Sequence, residues 1–191
     1  MPDAPSPWIV RWAGAIRPGG TALDVACGSG RHARYLAGRG LRVTAVDRDR
    51  DAVASLQDVA EGLVSDLEQA PWPFPGRRFD AVIVTNYLWR ALLPRLVASV
   101  SAGGLLLYET FAVGQERIGR PSNPDFLLRP AELLAATPGL HIVAYEDGSL
   151  GAPPRRVQRI AAWRASEPGA LPPRLDDPSK GLEFPHSQDP P

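Results

Sequence analysis

The residues best suited to chemistry stand in the first third of the chain. Gly28-Ser29-Gly30-Arg31-His32-Ala33 joins an apolar run, Thr21 to Ala26, to a segment of helical periodicity from Arg31 to Arg39. Glycines let the backbone turn tightly and approach a ligand closely, and the first amides of the helix that follows attract oxygen ligands. The G-x-G-x-x-A spacing between a strand and a helix is the setting of a nucleotide-binding turn. Two carboxylates extend the pattern. Asp47 follows Gly28 by 19 residues, at the end of a second apolar run, where a carboxylate accepts hydrogen bonds from ribose hydroxyls. Asp66 ends a third run, Gly62 to Ser65, placed to accept from an adenine amino group while the Leu67 N–H meets a ring nitrogen.

Up to here NAD and S-adenosylmethionine are both compatible ligands. Asp24 separates them. It lies inside the first apolar run, where a dinucleotide site wants an apolar residue. A buried carboxylate there needs a partner, and the ammonium of a cofactor with an amino-acid end supplies one. The chain also leaves no room for a separate hydride-acceptor domain. S-adenosylmethionine is therefore the expected cofactor.

The elements that must position these groups follow from the apolar pattern. Strands are predicted over Thr21–Ala26, Leu41–Val46, Gly62–Ser65, Phe79–Thr85, Leu105–Tyr108, His141–Tyr145 and Arg155–Ala162, with helices over Arg31–Arg39, Asp49–Val59, a segment from Pro94, and Pro130–Ala136. Gly103-Gly104 reads as the stop of the helix begun at Pro94. Strands alternating with short helices imply a parallel sheet covered on both faces. The last two strands, separated by a Gly/Pro turn, can pair only as an antiparallel hairpin. The expected fold is α/β: a Rossmann-like, doubly wound, seven-stranded sheet, mostly parallel with an antiparallel last strand.

Composition bounds the rest. The 191 residues carry 21 basic and 21 acidic side chains, so no global field favours nucleic acid or an anionic membrane. No apolar run approaches the roughly 20 residues that span a bilayer. The N-terminus does not read as a secretory signal, and a single cysteine, Cys27, suits a reducing, cytoplasmic compartment. Seven prolines and few apolar residues between Ser166 and Pro191 predict a disordered tail behind a domain over residues 1–165. The three histidines show no metal-ligand spacing, so no metal is expected.

At Leu23-Asp24-Val25-Ala26-Cys27-Gly28-Ser29-Gly30, Val43-Thr44-Ala45-Val46-Asp47, Ser65-Asp66-Leu67-Glu68 and Phe79-Asp80-Ala81-Val82 the chain resembles the class I S-adenosylmethionine-dependent methyltransferases. Within them it is similar to the tellurite-resistance and thiopurine-type small-molecule enzymes. The resemblance implies that Asp24 and the Ala26–Gly30 backbone, with Cys27 and Gly28, hold the methionine end of the cofactor. It implies that Asp47 holds the ribose, that Asp66 with Leu67 holds the adenine, and that Asn86 lines the methyl-transfer side; Arg48 is a further cofactor-binding candidate.

Methyl transfer asks mainly for positioning and exclusion of water. Asn86, Tyr87 and Glu109, at the ends of the fourth and fifth strands, are the candidates for the reacting side. The residues from Asn86 to Trp89 lack the Pro-Pro-aromatic sequence of enzymes that methylate amino groups of DNA bases or protein amides, and Cys27 lies in the cofactor loop, so a small acceptor is expected. Arg117 and Arg120 offer guanidinium groups to an anionic one. Trp8, with Tyr87 and Trp89, is a candidate lid, and His32 is expected to be an exposed bystander. The alternative function is a cofactor-binding sensor or partner subunit without transfer activity. No oligomeric state is expected from sequence.

Overall fold

The computed structural model describes residues 4–174. Twelve regular elements follow in chain order: α1 (Pro7–Ala13), β1 (Thr21–Val25), α2 (Arg31–Gly38), β2 (Arg42–Asp47), α3 (Arg50–Ala54), β3 (Ala60–Val64), β4 (Phe79–Thr85), α4 (Leu93–Ala98), β5 (Val100–Phe111), α5 (Glu132–Ala135), β6 (His141–Gly151) and β7 (Pro154–Trp163). They build one seven-stranded sheet in the order β3-β2-β1-β4-β5-β7-β6. The strands from β3 to β5 are parallel neighbours, and β7 runs antiparallel to both β5 and β6. This is the expected Rossmann-like sheet with its antiparallel last strand. The reason is the tight connection at residues 152–153, which cannot carry a crossover.

Alternate residues of the central strands feed two apolar layers. Leu23, Val25, Val82, Val84, Leu106 and Tyr108 face one layer, shared with Leu96 and Leu133. Ala22, Val43, Ala45, Ala81, Ile83, Leu105 and Leu107 face the other, filled by Trp8, Ile9 and Trp12 of α1 and by Leu36 of α2. Burial on both faces is what continuous apolar runs such as Ala81–Thr85 require.

Several boundaries differ from the pattern-based reading. The helix before β5 ends at Ala98, and Gly103-Gly104 lies inside a strand that begins at Val100. Gly103 has φ +78°, and the register against β4 shifts between Phe79 and Ala81, so the pair forms a bulge where helix arrest was expected. The segment after Asp49 is helical only to Ala54 before it loosens into turns. Strand β6 extends past Tyr145 to Gly151, because the β7 partner continues to offer hydrogen bonds. The proline-rich tail falls largely on residues 175–191, outside the described residues; residues 164–174 contain no helix or strand.

One glycine fixes how the sheet meets its first helix. Gly30 begins α2 at φ +74°, and a Cβ there would overlap the side chain of the fully buried Leu56, 2.9 Å from its Cγ. Both the left-handed backbone and the closed space exclude a side chain. Gly30→Ala is expected to lower unfolding free energy by about 3 kcal/mol in urea titration. A loss under 1 kcal/mol would show that Leu56 yields easily.

Candidate functional site

At the carboxyl ends of β1, β2 and β3 the chain makes three turns that face one another. After β1, Ala26 (φ +51°), Gly28 (φ +51°) and Gly30 adopt left-handed conformations, folding the loop back toward β2. The Gly28 N–H donates to Asp47 Oδ2 at 2.8 Å, and the Asp49 N–H donates to Asp47 Oδ1 at 2.9 Å. The Asp47 carboxylate thus organises the β1 loop and its own turn, with lone pairs left over. Asp49 caps α3 through its side chain, accepting from the Asp51 and Ala52 amides. After β3, the Ser65 N–H donates to the Asp47 carbonyl, and Asp66 Oδ1 accepts the Glu68 N–H at 3.0 Å.

These turns enclose a cavity of about 190 Å³ lined by Ala26, Asp47, Arg48, Ser65, Asp66, Leu67, Glu68 and Tyr87. Five of the sequence-derived cofactor candidates (Ala26, Asp47, Arg48, Asp66 and Leu67) therefore share one wall. Gly28 lines a separate, open groove with Ser29, Arg34 and Asp49. Cys27 is buried, and burial beside Asp24 and Asp47 pushes its thiol up to about 12, so it is not a nucleophile. Asn86 is exposed at φ +54°, immediately after β4, with its N–H on the Glu109 carbonyl. Ser65 and Glu68 are cavity residues to which sequence reasoning assigned no role, although the quoted Ser65–Glu68 stretch contains both.

Asp24 and His32 lie just beneath the loop. Asp24 is fully buried, and one oxygen accepts the Ala33 N–H in the first turn of α2 at 3.0 Å. The partner that its burial demanded is thus, first of all, a helix amide. Burial pushes its carboxyl up to about 7 against that hydrogen bond. His32 is not the exposed bystander expected; it is 1% exposed. Its Nε2 accepts the Ser6 N–H at 3.1 Å, which leaves the proton on Nδ1, 3.3 Å from Thr85 Oγ1. Burial and the neighbouring Arg31 lower its pKa to about 4.

The remaining candidates are dispersed. Glu109 is buried under α1, where Oε1 accepts the Ser6 hydroxyl at 2.9 Å and Oε2 pairs with Arg159 at 3.3 Å. It does not line the cavity. Trp8 does not form a lid: it is 1% exposed, packed in the α1 layer with its indole N–H on the Ile160 carbonyl. Its four-residue spacing to Trp12 reflects that packing, the two rings lying 5.8 Å apart. Trp89 is partly exposed. Arg117 and Arg120 project outward from the segment after β5, Arg117 3.9 Å from Glu116. Among the described residues no cluster of His, Cys, Asp and Glu could hold a metal ion, and no helix is long and apolar enough to cross a membrane.

The two buried titratable groups give opposite pH dependences. Unfolded histidine gains a proton near 6.5 while folded His32 resists until about 4, so its contribution falls as pH drops through that window. Asp24, with its folded pKa raised from 3.8 to about 7, contributes fully below about 4 and loses that contribution as pH rises to 7. Between pH 4 and 6.5 the two slopes oppose. Urea unfolding of Asp24→Asn is expected to show stability rising across this window, and of His32→Gln to show it falling; matching slopes in both variants would contradict the assignment.

Residues 22–104 match a family described as a methyltransferase domain. The chain is 44% identical over 78 residues to the ribosomal RNA small subunit methyltransferase H of Nostoc punctiforme, covering 36% of this chain and 26% of that protein. It is 33% identical over 110 residues to the malonyl-[acyl-carrier protein] O-methyltransferase of Serratia marcescens, covering 53% and 42%. The chain thus spans less than half the length of either curated relative. Among solved structures, TehB from Haemophilus influenzae superimposes with a TM-score of 0.67 at 18% identity, covering 82% of this chain and 61% of that one. The magnesium protoporphyrin IX methyltransferase of Synechocystis PCC 6803, with bound SAH, gives 0.62 at 19% identity, covering 83% and 79%.

Proposed function

We propose that this chain, a class I methyltransferase fold with a methyltransferase domain at residues 22–104, transfers a methyl group from S-adenosylmethionine to a small acceptor. The observation that carries the reading is the cavity in which Asp47 and Asp66, from neighbouring strand ends, face the left-handed turn at Ala26. Its donor set fits the cofactor. Asp47 has lone pairs for ribose hydroxyls beside Arg48, and Asp66 and the Leu67 amide stand where an adenine edge is read. The buried Asp24, beneath the loop, is the proposed acceptor for an ammonium, and the loop above it turns at Gly28 and Gly30. Such a cofactor, when bound, brings an electrophilic methyl on a sulfonium.

The chain's own contribution is then to hold, orient and dry the reacting groups. Asn86, held by its backbone at the end of β4, borders the transfer side. Glu109 is engaged by Ser6 and Arg159, so it supports the strand end and is not a free base. The small-acceptor reading is supported by the relative whose name joins a malonyl-[acyl-carrier protein] substrate to O-methylation. Arg117 and Arg120, exposed beyond β5 at the carboxyl side of the sheet, are the proposed contacts for an anionic acceptor.

Calorimetric titration tests the cofactor. S-adenosylmethionine and S-adenosylhomocysteine are expected to bind, NAD is not, and Asp47→Ala is expected to weaken binding about 100-fold or more, the scale of two lost charge-assisted hydrogen bonds. Binding of NAD alone would end the methyltransferase reading. In a screen of small anionic acceptors, Arg117→Ala/Arg120→Ala is expected to raise KM about tenfold while leaving S-adenosylhomocysteine affinity unchanged.

A further inference from the structure

Beyond the ends of β4 and β5 the chain leaves apolar side chains in the open. Of the eight large apolar side chains exposed among the described residues, four stand in the segments that follow these two strands. They are Trp89, Val113, Ile118 and Phe126, between 37% and 47% exposed. Their neighbours are covered: Leu88 and Leu92 around Trp89, Ala112 before Val113, and Leu127 and Leu128 after Phe126 are all buried. The same short segments bury one set of apolar side chains and withhold another from the core.

Hydrogen bonds gather Trp89, Phe126 and Val113 along one rim. The Asn86 N–H donates to the Glu109 carbonyl, which sets the end of β4 beside the end of β5. Arg90, next to Trp89, donates to the Asp125 and Leu127 carbonyls on either side of Phe126, at 2.7 and 2.8 Å. The Val113 N–H donates to the Leu128 carbonyl at 3.0 Å. The stretch from Asp125 to Leu128 therefore runs between Arg90 on one side and Val113 on the other. Arg117, Ile118 and Arg120 lie on the turn that links Val113 to that stretch. The buried Gln115 side chain ties this turn to the sheet, donating to the Arg120 carbonyl and accepting the Arg156 N–H of β7. Arg117 and Arg120 are exposed, and Arg117 reaches a carboxylate only at 3.9 Å.

A single exposed apolar side chain needs no explanation, but several together beside charged groups mark a binding surface. An apolar body covering them is stabilised by the area it removes from water, and guanidinium groups bind oxyanions. A small dicarboxylate engages the arginines alone, and a neutral hydrocarbon engages the rim alone. We infer that the acceptor is an amphipathic organic anion, an apolar body bearing a carboxylate or similar oxyanion. Trp89, Val113 and Phe126 take the body, and Arg117 and Arg120 take the charge. The inference rests on the acceptor side proposed above and makes the three apolar residues determinants of acceptor specificity.

Three probes separate the contributions: octanoate carries both parts, octanol the body alone, and malonate the charge alone. In calorimetry octanoate is expected to bind at least about tenfold more tightly than either of the others. Trp89 is the one exposed tryptophan among five, so octanoate is expected to shift the emission of the unaltered chain to the blue and malonate to leave it in place. Trp89→Phe is expected to bind octanoate without the shift. Val113→Ser/Phe126→Ser and Arg117→Ala/Arg120→Ala are each expected to weaken octanoate about tenfold, with melting temperature as the check on folding. The probe comparison and the emission shift need no variant to fold. If the chain binds S-adenosylhomocysteine but takes octanoate no better than malonate, shows no shift, or keeps full octanoate affinity in the folded variants, the amphipathic assignment is overturned alone. A chain that fails to bind S-adenosylhomocysteine overturns the cofactor reading, and this assignment with it.

Discussion

The hydrogen bond from the Gly28 amide to the Asp47 carboxylate, 2.8 Å long, joins the end of β1 to the end of β2, and the candidate site depends on it. It holds the loop after β1 in its left-handed turn, sets Ala26 and Asp47 on one cavity wall, and orients α2 so that the Ala33 amide reaches Asp24. A carboxylate with four lone-pair sites can do this and still face a ligand. Ser65 extends the arrangement to the third strand by donating to the Asp47 carbonyl. The turn after β1 is thus stabilised by the same residue that is proposed to bind the nucleoside.

The opposite flank of the strand ends carries a row of charge that is buried at Glu109 and half-exposed at Glu146. Thr85, Glu109, Arg159 and Glu146 lie in register across β4, β5, β7 and β6, forming one polar row beneath α1. Arg159 pairs with both glutamates, Arg11 reaches Glu146 from above, and Ser6 closes the row onto His32. A buried ion pair contributes little net stability, but removal of one partner leaves an uncompensated charge. The row therefore fixes where α1 sits more than how tightly it binds. That placement explains why Glu109 is unavailable as a base and why Trp8 is a packing residue.

The segment after β5 is held from behind by Arg90, which bonds to the carbonyls of Asp125 and Leu127 and to both oxygens of Glu132. A single guanidinium with a fixed fork of donors suits several acceptors at once. With residues 125–132 anchored, Arg117 and Arg120 are carried on the outward part of the segment, on the carboxyl side of the sheet where acceptor recognition is proposed.

The sequence by itself determined the sheet, the turn and the carboxylates at the strand ends. Apolar alternation, the spacing from Gly28 to Asp47 and the short turn before β7 are local features, and local sterics and hydrogen-bond needs leave few ways to satisfy them. Boundaries were less legible: Gly103-Gly104 suits a helix stop and a bulge equally, and only pairing with β4 selected the bulge. Tertiary structure alone decided the fate of His32, Glu109, Trp8 and Tyr87. Each carries a polar group whose role depends on what lies opposite it in space. For His32 and Glu109 that partner is Ser6, respectively 26 and 103 residues away in the chain, and for Trp8 it is the Ile160 carbonyl. For the Tyr87 hydroxyl the described residues offer none. Such partners carry no signature in the neighbouring sequence, because they are chosen by the packing of whole elements.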